Sequence, residues 1–104
     1  MAIQVLSSGK RISSTCITSA SARFYGVNMI SDKSNDAEIT VYNNTVGGGQ
    51  VVFEGECPKA EKNRTMMFPM KNGIWCPNGI YLGLAGNNAA AIIYYTEAWL
   101  PDDP

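Results

Sequence analysis

Paired carboxylates are the side chains of this sequence that come closest to a catalytic arrangement. Glu54 and Glu56 lie two positions apart, and in a strand this spacing places both side chains on one face. Two carboxylates can act as acid and base in glycoside hydrolysis. Glutamates are also the ordinary residues of an exposed strand face. We favour the exposed face and keep a small hydrolase as a distant alternative.

Nucleophilic catalysis and metal binding find little support in the residue types present. Histidine is absent from the 104 residues, which removes the commonest base for a serine or cysteine nucleophile. The cysteines, Cys16, Cys57 and Cys76, contain no C-x-x-C pair, and a zinc site would lack a fourth nitrogen or sulfur ligand. Cys57 and Cys76 could pair across neighbouring strands, but we favour buried free thiols for a cytosolic chain. We expect no enzyme activity, no bound metal and no cofactor.

Two further features could hold a ligand. Gly47, Gly48 and Gly49 could cradle a phosphate only if a helix followed them, and an extended segment follows instead. We therefore interpret these glycines as the tip of a hairpin. Aromatic residues could stack on sugar rings or bases, but core filling and subunit contacts use the same side chains. The aromatic candidates are Trp75, Tyr81, Tyr94 and Tyr95.

The composition is that of a soluble globular chain with few charges. Hydrophobic residues make up 45% of the sequence and charged residues 16%, below the ~25% typical of globular proteins. Eight Lys and Arg are balanced by nine Asp and Glu, so the clustered basic surface that nucleic acid requires is missing. No apolar run is long enough to span a bilayer, and residues 1–21 lack the apolar core of a signal peptide. We expect no direct nucleic acid, no membrane, and synthesis in the cytoplasm.

Short extended segments separated by turn formers account for most of the chain. Residues 37–42 alternate with a period of two, so one face of this strand is buried and the other meets water or a partner. Residues 89–96 are the last long apolar run, which we interpret as a strand buried on both faces. About eight such segments without a helical period predict one all-β domain over residues 1–104, an antiparallel β-sandwich or small jelly roll. In the strand 37–42 the predicted buried face carries Ala37, Ile39 and Val41, and the other face carries Glu38, Thr40 and Tyr42.

The two ends of the chain extend beyond this pattern. We expect residues 1–21 to form an N-terminal arm with short strands, and residues 97–104 to form an extended C-terminal tail. The tail places Trp99 and Leu100 after the last strand, where they would expose apolar area worth several kcal/mol at ~25 cal/mol per Å2. Some surface must therefore cover them. The sequence leaves open whether this surface belongs to their own domain or to a neighbouring subunit.

Five segments between residues 22 and 96 combine apolar runs and turns in a particular order. They are Phe24-Tyr25-Gly26-Val27, the strand 37–42 with its Asn-rich turn, the Met-Phe-Pro segment at 67–69, Asn78-Gly79-Ile80-Tyr81, and Ile92-Ile93-Tyr94-Tyr95-Thr96. This order resembles that of small structural proteins of tailed bacteriophages. Those proteins are β-sandwich or jelly-roll components of the virion. The resemblance therefore implies a place on the capsid surface, at the neck or in the tail.

The function we expect is that of a non-enzymatic virion structural protein, a capsid decoration or cement protein or a neck or tail component. Its expected partners are copies of itself in a homo-oligomer, for instance a trimer, and other virion proteins such as the major capsid protein. Many weak contacts on a symmetric lattice add up to a stable shell. Loops and chain ends can change partners without disturbing a core. The expected interaction residues are Ile3, Val5, Leu6, Asn43, Asn44, Gly47, Gly48, Gly49, Ala98, Trp99 and Leu100.

A carbohydrate-binding module on the same β-sandwich is the alternative function. Trp75 or the tyrosines would then stack on sugar rings. Saturable glycan binding would separate this module from a purely structural subunit.

Overall fold

The computed structural model describes residues 5–68 and 73–97 of the chain. This part contains nine strands and no helix. This confirms the predicted all-β class. In the predicted N-terminal arm, β1 has only two residues, and residues 1–4 lie outside the described part. The strands are β1 (Leu6–Ser7), β2 (Thr15–Thr18), β3 (Ala22–Ile30), β4 (Ala37–Asn43), β5 (Gln50–Cys57), β6 (Asn63–Met67), β7 (Ile74–Cys76), β8 (Ile80–Ala85) and β9 (Ala90–Glu97).

The strands form two antiparallel sheets that pack face to face as a β-sandwich. Sheet A has the order β1-β9-β3-β6, and sheet B has the order β2-β8-β4-β5. β7 also belongs to sheet A, because it pairs with Ala22–Phe24 of β3 while β6 pairs with Gly26–Ile30. β9 occupies the other edge of β3 along its length. β6 and β7 therefore act as one interrupted edge strand.

The strand pairings are nested around the middle of the chain. β4 pairs with β5, β3 with β6 and β7, β2 with β8, and β1 with β9. A long antiparallel ribbon that folds at residues 44–49 and then rolls up on itself produces this nesting. Two four-stranded layers connected in this way are a jelly roll.

The core lies between the inner faces of the two sheets, and its residues follow the period of two that strands impose. The predicted alternation of β4 is confirmed, since its three apolar residues are fully buried. The prediction for β9 is only half correct. Ala91 and Ile93 are fully buried, but Ile92 and Tyr94 on the outer face are only partly covered. The other large core side chains are Phe24, Val27, Met29, Ile80 and Leu82.

The connections between the strands lie at the two ends of the sandwich. We call the end that carries residues 19–21, 44–49 and 77–79 the terminal end, because β9 reaches Glu97 there. The opposite, distal end carries the connections 31–36, 58–62 and 86–89.

Asp32 fastens two of the distal connections together. Its carboxylate accepts hydrogen bonds from the backbone N–H groups of Ser34 and Asn35, at 2.8 Å each, and from the side chain of Asn88, at 3.0 Å. These bonds, that from Asn88 first, lower the pKa of Asp32 from 3.8 to about 2. The ionised carboxylate therefore favours the folded chain.

Acid should weaken the fold through Asp32. Because its pKa is lower in the folded chain, its contribution is fully present above pH 3.8 and is lost as the pH falls through about 2. When the pH falls from 3.8 to about 2, we expect the free energy of unfolding to decrease less for Asp32→Asn than for the parent chain. Urea unfolding at a series of pH values measures the difference. An identical pH dependence for both chains would contradict the role of this carboxylate.

The three cysteines are free thiols, as the sequence predicts. Cys57 pairs with Ala37 at the distal end of the sandwich, whereas Cys76 pairs with Ala22 at the terminal end. The two buried thiols are therefore far apart and cannot form a disulfide in this fold. Burial raises the pKa of the Cys76 thiol to about 11.

Thiol labelling should distinguish these cysteines. A thiolate reacts and a buried neutral thiol does not, so we expect Ellman's reagent to modify only Cys16 in the native chain, since Cys16 is exposed and the other two are fully buried. All three should react in guanidinium chloride. Native Cys16→Ser should then show almost no fast reaction. Fast labelling of more than one thiol in the native chain would contradict the burial of Cys57 and Cys76.

Candidate interaction surfaces

The terminal end brings the predicted interaction elements of the chain together. Leu6 pairs with Tyr95, so the described chain enters beside the end of β9. Glu97, the last described residue, accepts a hydrogen bond of 2.7 Å from the hydroxyl of Thr18 in sheet B. The hairpin 44–49 lies at this same end of sheet B. Four of the predicted residues lie outside the described part of the chain, namely Ile3, Ala98, Trp99 and Leu100.

Side-chain hydrogen bonds hold the hairpin at the terminal end in one shape. Asn43 is only 7% exposed, and its amide donates to Gln50 at 2.9 Å and accepts from the backbone N–H of Asn78 at 2.9 Å. Asn44 donates to the carbonyl of Gly48 at 3.2 Å. Asn43 therefore has little surface to offer a partner and positions the hairpin instead.

The tip of the hairpin turns on glycine and exposes one apolar side chain. Gly48 and Gly49 have φ angles of 125° and 79°, which side chains with a Cβ rarely adopt. Their positive φ angles agree with the predicted hairpin. Val46 is 59% exposed at the tip and was not singled out from the sequence. An isolated valine between turn residues carries no pattern that predicts its exposure.

Among the described residues, eight large apolar side chains are exposed, and all but Ile12 and Val51 lie in two groups that bear on assembly. Val5 and Leu6, beside the end of β9, are 46% and 37% exposed and lie, like Val46, at the terminal end. The second group lies on the edge of sheet A, where every residue of β6 is exposed, including both of its methionines, and Trp75 of β7 follows. An exposed edge strand has unpaired backbone groups that can bind another chain.

Met67 and Trp75 differ in what their side chains already contact. The sulfur of Met67 lies where a Cβ on Gly26 would stand, so Gly26 allows this side chain to cross β3. The guanidinium of Arg23 lies 4.8 Å from the centre of the Trp75 ring. One side of this indole is therefore already in a cation–π contact.

The outer face of sheet B forms a third surface. The strand pairings place Thr40 beside Glu54 on β5 and Gly83 on β8, and place Tyr42 beside Tyr81 with ring centres 6.2 Å apart. The prediction that Glu54 and Glu56 share an exposed face is confirmed. We call this surface the sheet B face and define it as Glu38, Thr40, Tyr42, Glu54, Glu56, Tyr81 and Gly83.

Two shallow hollows lie side by side on the sheet B face. The larger, of about 300 Å3, is lined by β4 and β5 and includes all three glutamates. The smaller, of about 190 Å3, extends from β4 to β8 and includes Tyr42 and Gly83. Both share Glu38 and Thr40. Tyr42 was not among the aromatic candidates predicted from the sequence, although its alternation with Glu38 and Thr40 predicted the face on which it lies.

Neither comparison with known proteins nor the metal-binding residue types identify a known site on these surfaces. No family model, curated protein or solved structure matches the chain. Within residues 5–68 and 73–97, no group of three or more metal-binding side chains could hold an ion. In the same residues, no helix long and apolar enough to cross a bilayer is found.

The buried amide of Asn43 should be essential for the shape of the hairpin. We expect Asn43→Ala to lower the free energy of unfolding by ~1–3 kcal/mol, because the side chain of Gln50 and the backbone N–H of Asn78 lose their partners. Chemical denaturation measures this change. The exposed control Val46→Ala should stay within ~0.5 kcal/mol of the parent. Equal effects of the two substitutions would contradict the structural role of Asn43.

Proposed function

We propose that this protein is a non-enzymatic structural subunit of a tailed-phage virion, either a capsid decoration or cement protein or a neck or tail component. Its partners are other copies of the chain and neighbouring virion proteins such as the major capsid protein. It assembles in the host cytoplasm and acts through contacts with these partners. The observation that supports this proposal is that exposed Val5 and Leu6, the hairpin with exposed Val46, and both described chain ends lie at the terminal end.

The apolar residues of the terminal end suit a contact with another protein. Val5, Leu6 and Val46 stay between 37% and 59% exposed although each would gain free energy from burial. The hairpin that carries Val46 is held by hydrogen bonds, so little conformational entropy is lost when it docks. A partner that covers these side chains therefore gains most of the free energy of burial.

A contact of this size becomes strong by repetition. Three partly exposed aliphatic side chains give a modest interface, weaker than the standard protein interface of about 1,600 Å2. On a symmetric lattice each subunit meets several neighbours at once, and the linked contacts exceed any single affinity. The net charge of -1 adds little repulsion between neighbouring copies.

The fold and the second apolar group agree with this proposal. Jelly rolls serve as capsid domains and as lectin domains, so the fold alone allows the proposal without deciding it. The edge formed by β6 and β7 offers a second contact, with Met66 and Met67 exposed by 42% and 54%. Methionine side chains adapt readily to neighbouring surfaces. Two separate contacts per copy are what a lattice needs.

Charge placed at the terminal end should disrupt assembly. We expect Leu6→Asp and Val46→Asp each to weaken self-association by about tenfold, since each buries a carboxylate in an apolar contact. Removal of residues 98–104 should act in the same direction. Sedimentation equilibrium measures the association constant.

A matched control lies on the opposite side of the molecule. Ile12 is 77% exposed and lies between the distal contacts that residues 11 and 14 make. Ile12→Asp should leave association unchanged. A parent chain that stays at 11.2 kDa at all concentrations, or equal weakening by Ile12→Asp, would contradict assembly through the terminal end.

The virion itself provides the direct test. Particles purified by density gradient from cells carrying the encoding genome should contain the chain in a fixed ratio to the major capsid protein. Quantitative mass spectrometry of the particles measures this ratio. A chain found only in the soluble fraction would overturn the proposal.

A further inference from the structure

The sheet B face is organised as three parallel rows that run across its strands. Glu38 has Ala85 and Glu56 as its strand neighbours, which makes the first row acidic. In the second row Thr40 lies between Gly83 and Glu54, and in the third row Tyr42 lies between Tyr81 and Val51. Because alternate residues on a strand are ~6.8 Å apart, the three rows span ~14 Å along the strands. The face is therefore long enough for two or three sugar rings in line.

A missing side chain opens the smaller hollow. A Cβ placed on Gly83 would lie 3.4 Å from the Cε2 atom of Tyr42 and 3.4 Å from the carbonyl oxygen of Thr40. Any larger side chain at this position would fill the space beside the Tyr42 ring. Gly83 thus keeps the edge of that ring accessible from the hollow.

The three glutamates supply hydrogen-bond acceptors without matching donors. Glu38 and Glu56 face each other directly across the strands, an arrangement of like charges that destabilises a sheet. Among the described residues, none of the carboxylates of Glu38, Glu54 and Glu56 accepts a hydrogen bond or forms a salt bridge. The repulsion between these carboxylates therefore destabilises the folded chain, and no internal contact of the carboxylates offsets it.

We propose that the sheet B face binds a neutral oligosaccharide. A sugar ring has an apolar C–H face that packs on an aromatic ring, and hydroxyl groups that donate to carboxylates. Tyr42, which lines the smaller hollow, supplies a ring, and the glutamates that line the larger hollow supply acceptors along the same face. The larger hollow, of about 300 Å3, reaches the lower end of the size range of ligand sites. This inference goes beyond the proposed structural role and uses a different surface.

The negative charge and the exposure of the sheet B face favour a neutral sugar over an acidic glycan or a basic peptide. Three carboxylates repel acidic glycans, and the nearby guanidinium of Arg64 forms its salt bridge with Glu61 instead. A basic peptide would form only exposed ion pairs on this open face, and such pairs contribute little. Trp75 is a poorer platform for sugar because Arg23 already lies over its ring.

Calorimetric titration of the full chain tests the proposal. The probes are neutral hexasaccharides of glucose, mannose or N-acetylglucosamine, with hexagalacturonate as the acidic arm and hexalysine as the basic arm. We expect saturable binding of at least one neutral probe, little dependence on salt, and no binding of hexagalacturonate. Tyr42→Ala and Glu54→Gln should each weaken binding by about tenfold.

Further variants keep the test independent of folding defects. Gly83→Leu fills the smaller hollow without changing charge, and Glu54→Gln alters an exposed group, so thermal unfolding can verify that each variant is folded. The matched control Tyr94→Ala removes a half-buried tyrosine from the outer face of the other sheet and should bind within twofold of the parent. Absence of binding by every neutral probe, binding of hexalysine alone, or equal weakening by Tyr94→Ala would overturn the proposal.

Discussion

The packing of β3 against β4 is the constraint on which the other features of the molecule depend. β3 is the centre of sheet A and β4 is a central strand of sheet B, and the inner residues of both are fully buried. Once these inner positions are apolar, the period of two forces the intervening residues outward. The acidic and aromatic residues of the sheet B face lie together for this reason.

The nested pairing brings together strands that are far apart in the sequence. β1 and β9 lie at opposite ends of the sequence and are hydrogen-bonded neighbours, and the hairpin at the middle of the chain reaches the same end of the sandwich. Such long-range pairings are slow to form, because their loop-closure entropy is lost before the contacts are gained. A rolled ribbon reduces this difficulty, since the β4–β5 hairpin can form first and each following pair closes on an existing one.

Local sequence patterns predicted the strands and their faces. The burial and the neighbours of individual side chains depend on which strands pair, which the patterns do not show. The alternation in β4 and the two glutamates of β5 were sufficient to assign their faces, because these are properties of a single strand. The burial of Asn43 was not predictable, since its partner Asn78 lies on a distant connection. Tyr42 was missed for the same reason, because Tyr81 comes beside it only when β8 joins β4. The outer face of β9 is only half covered because sheet B packs on one face of sheet A alone.

The edges of the two sheets explain why an assembly suits this fold. Exposed edges invite uncontrolled pairing, and proteins blunt them with short strands and with charges. β1 has two residues and β2 has four, and β5 carries Glu54 and Glu56. β6 is longer than β1 and β2, and its exposed edge ends in two methionines and leads toward an exposed Trp75. This edge therefore agrees with the second contact proposed above.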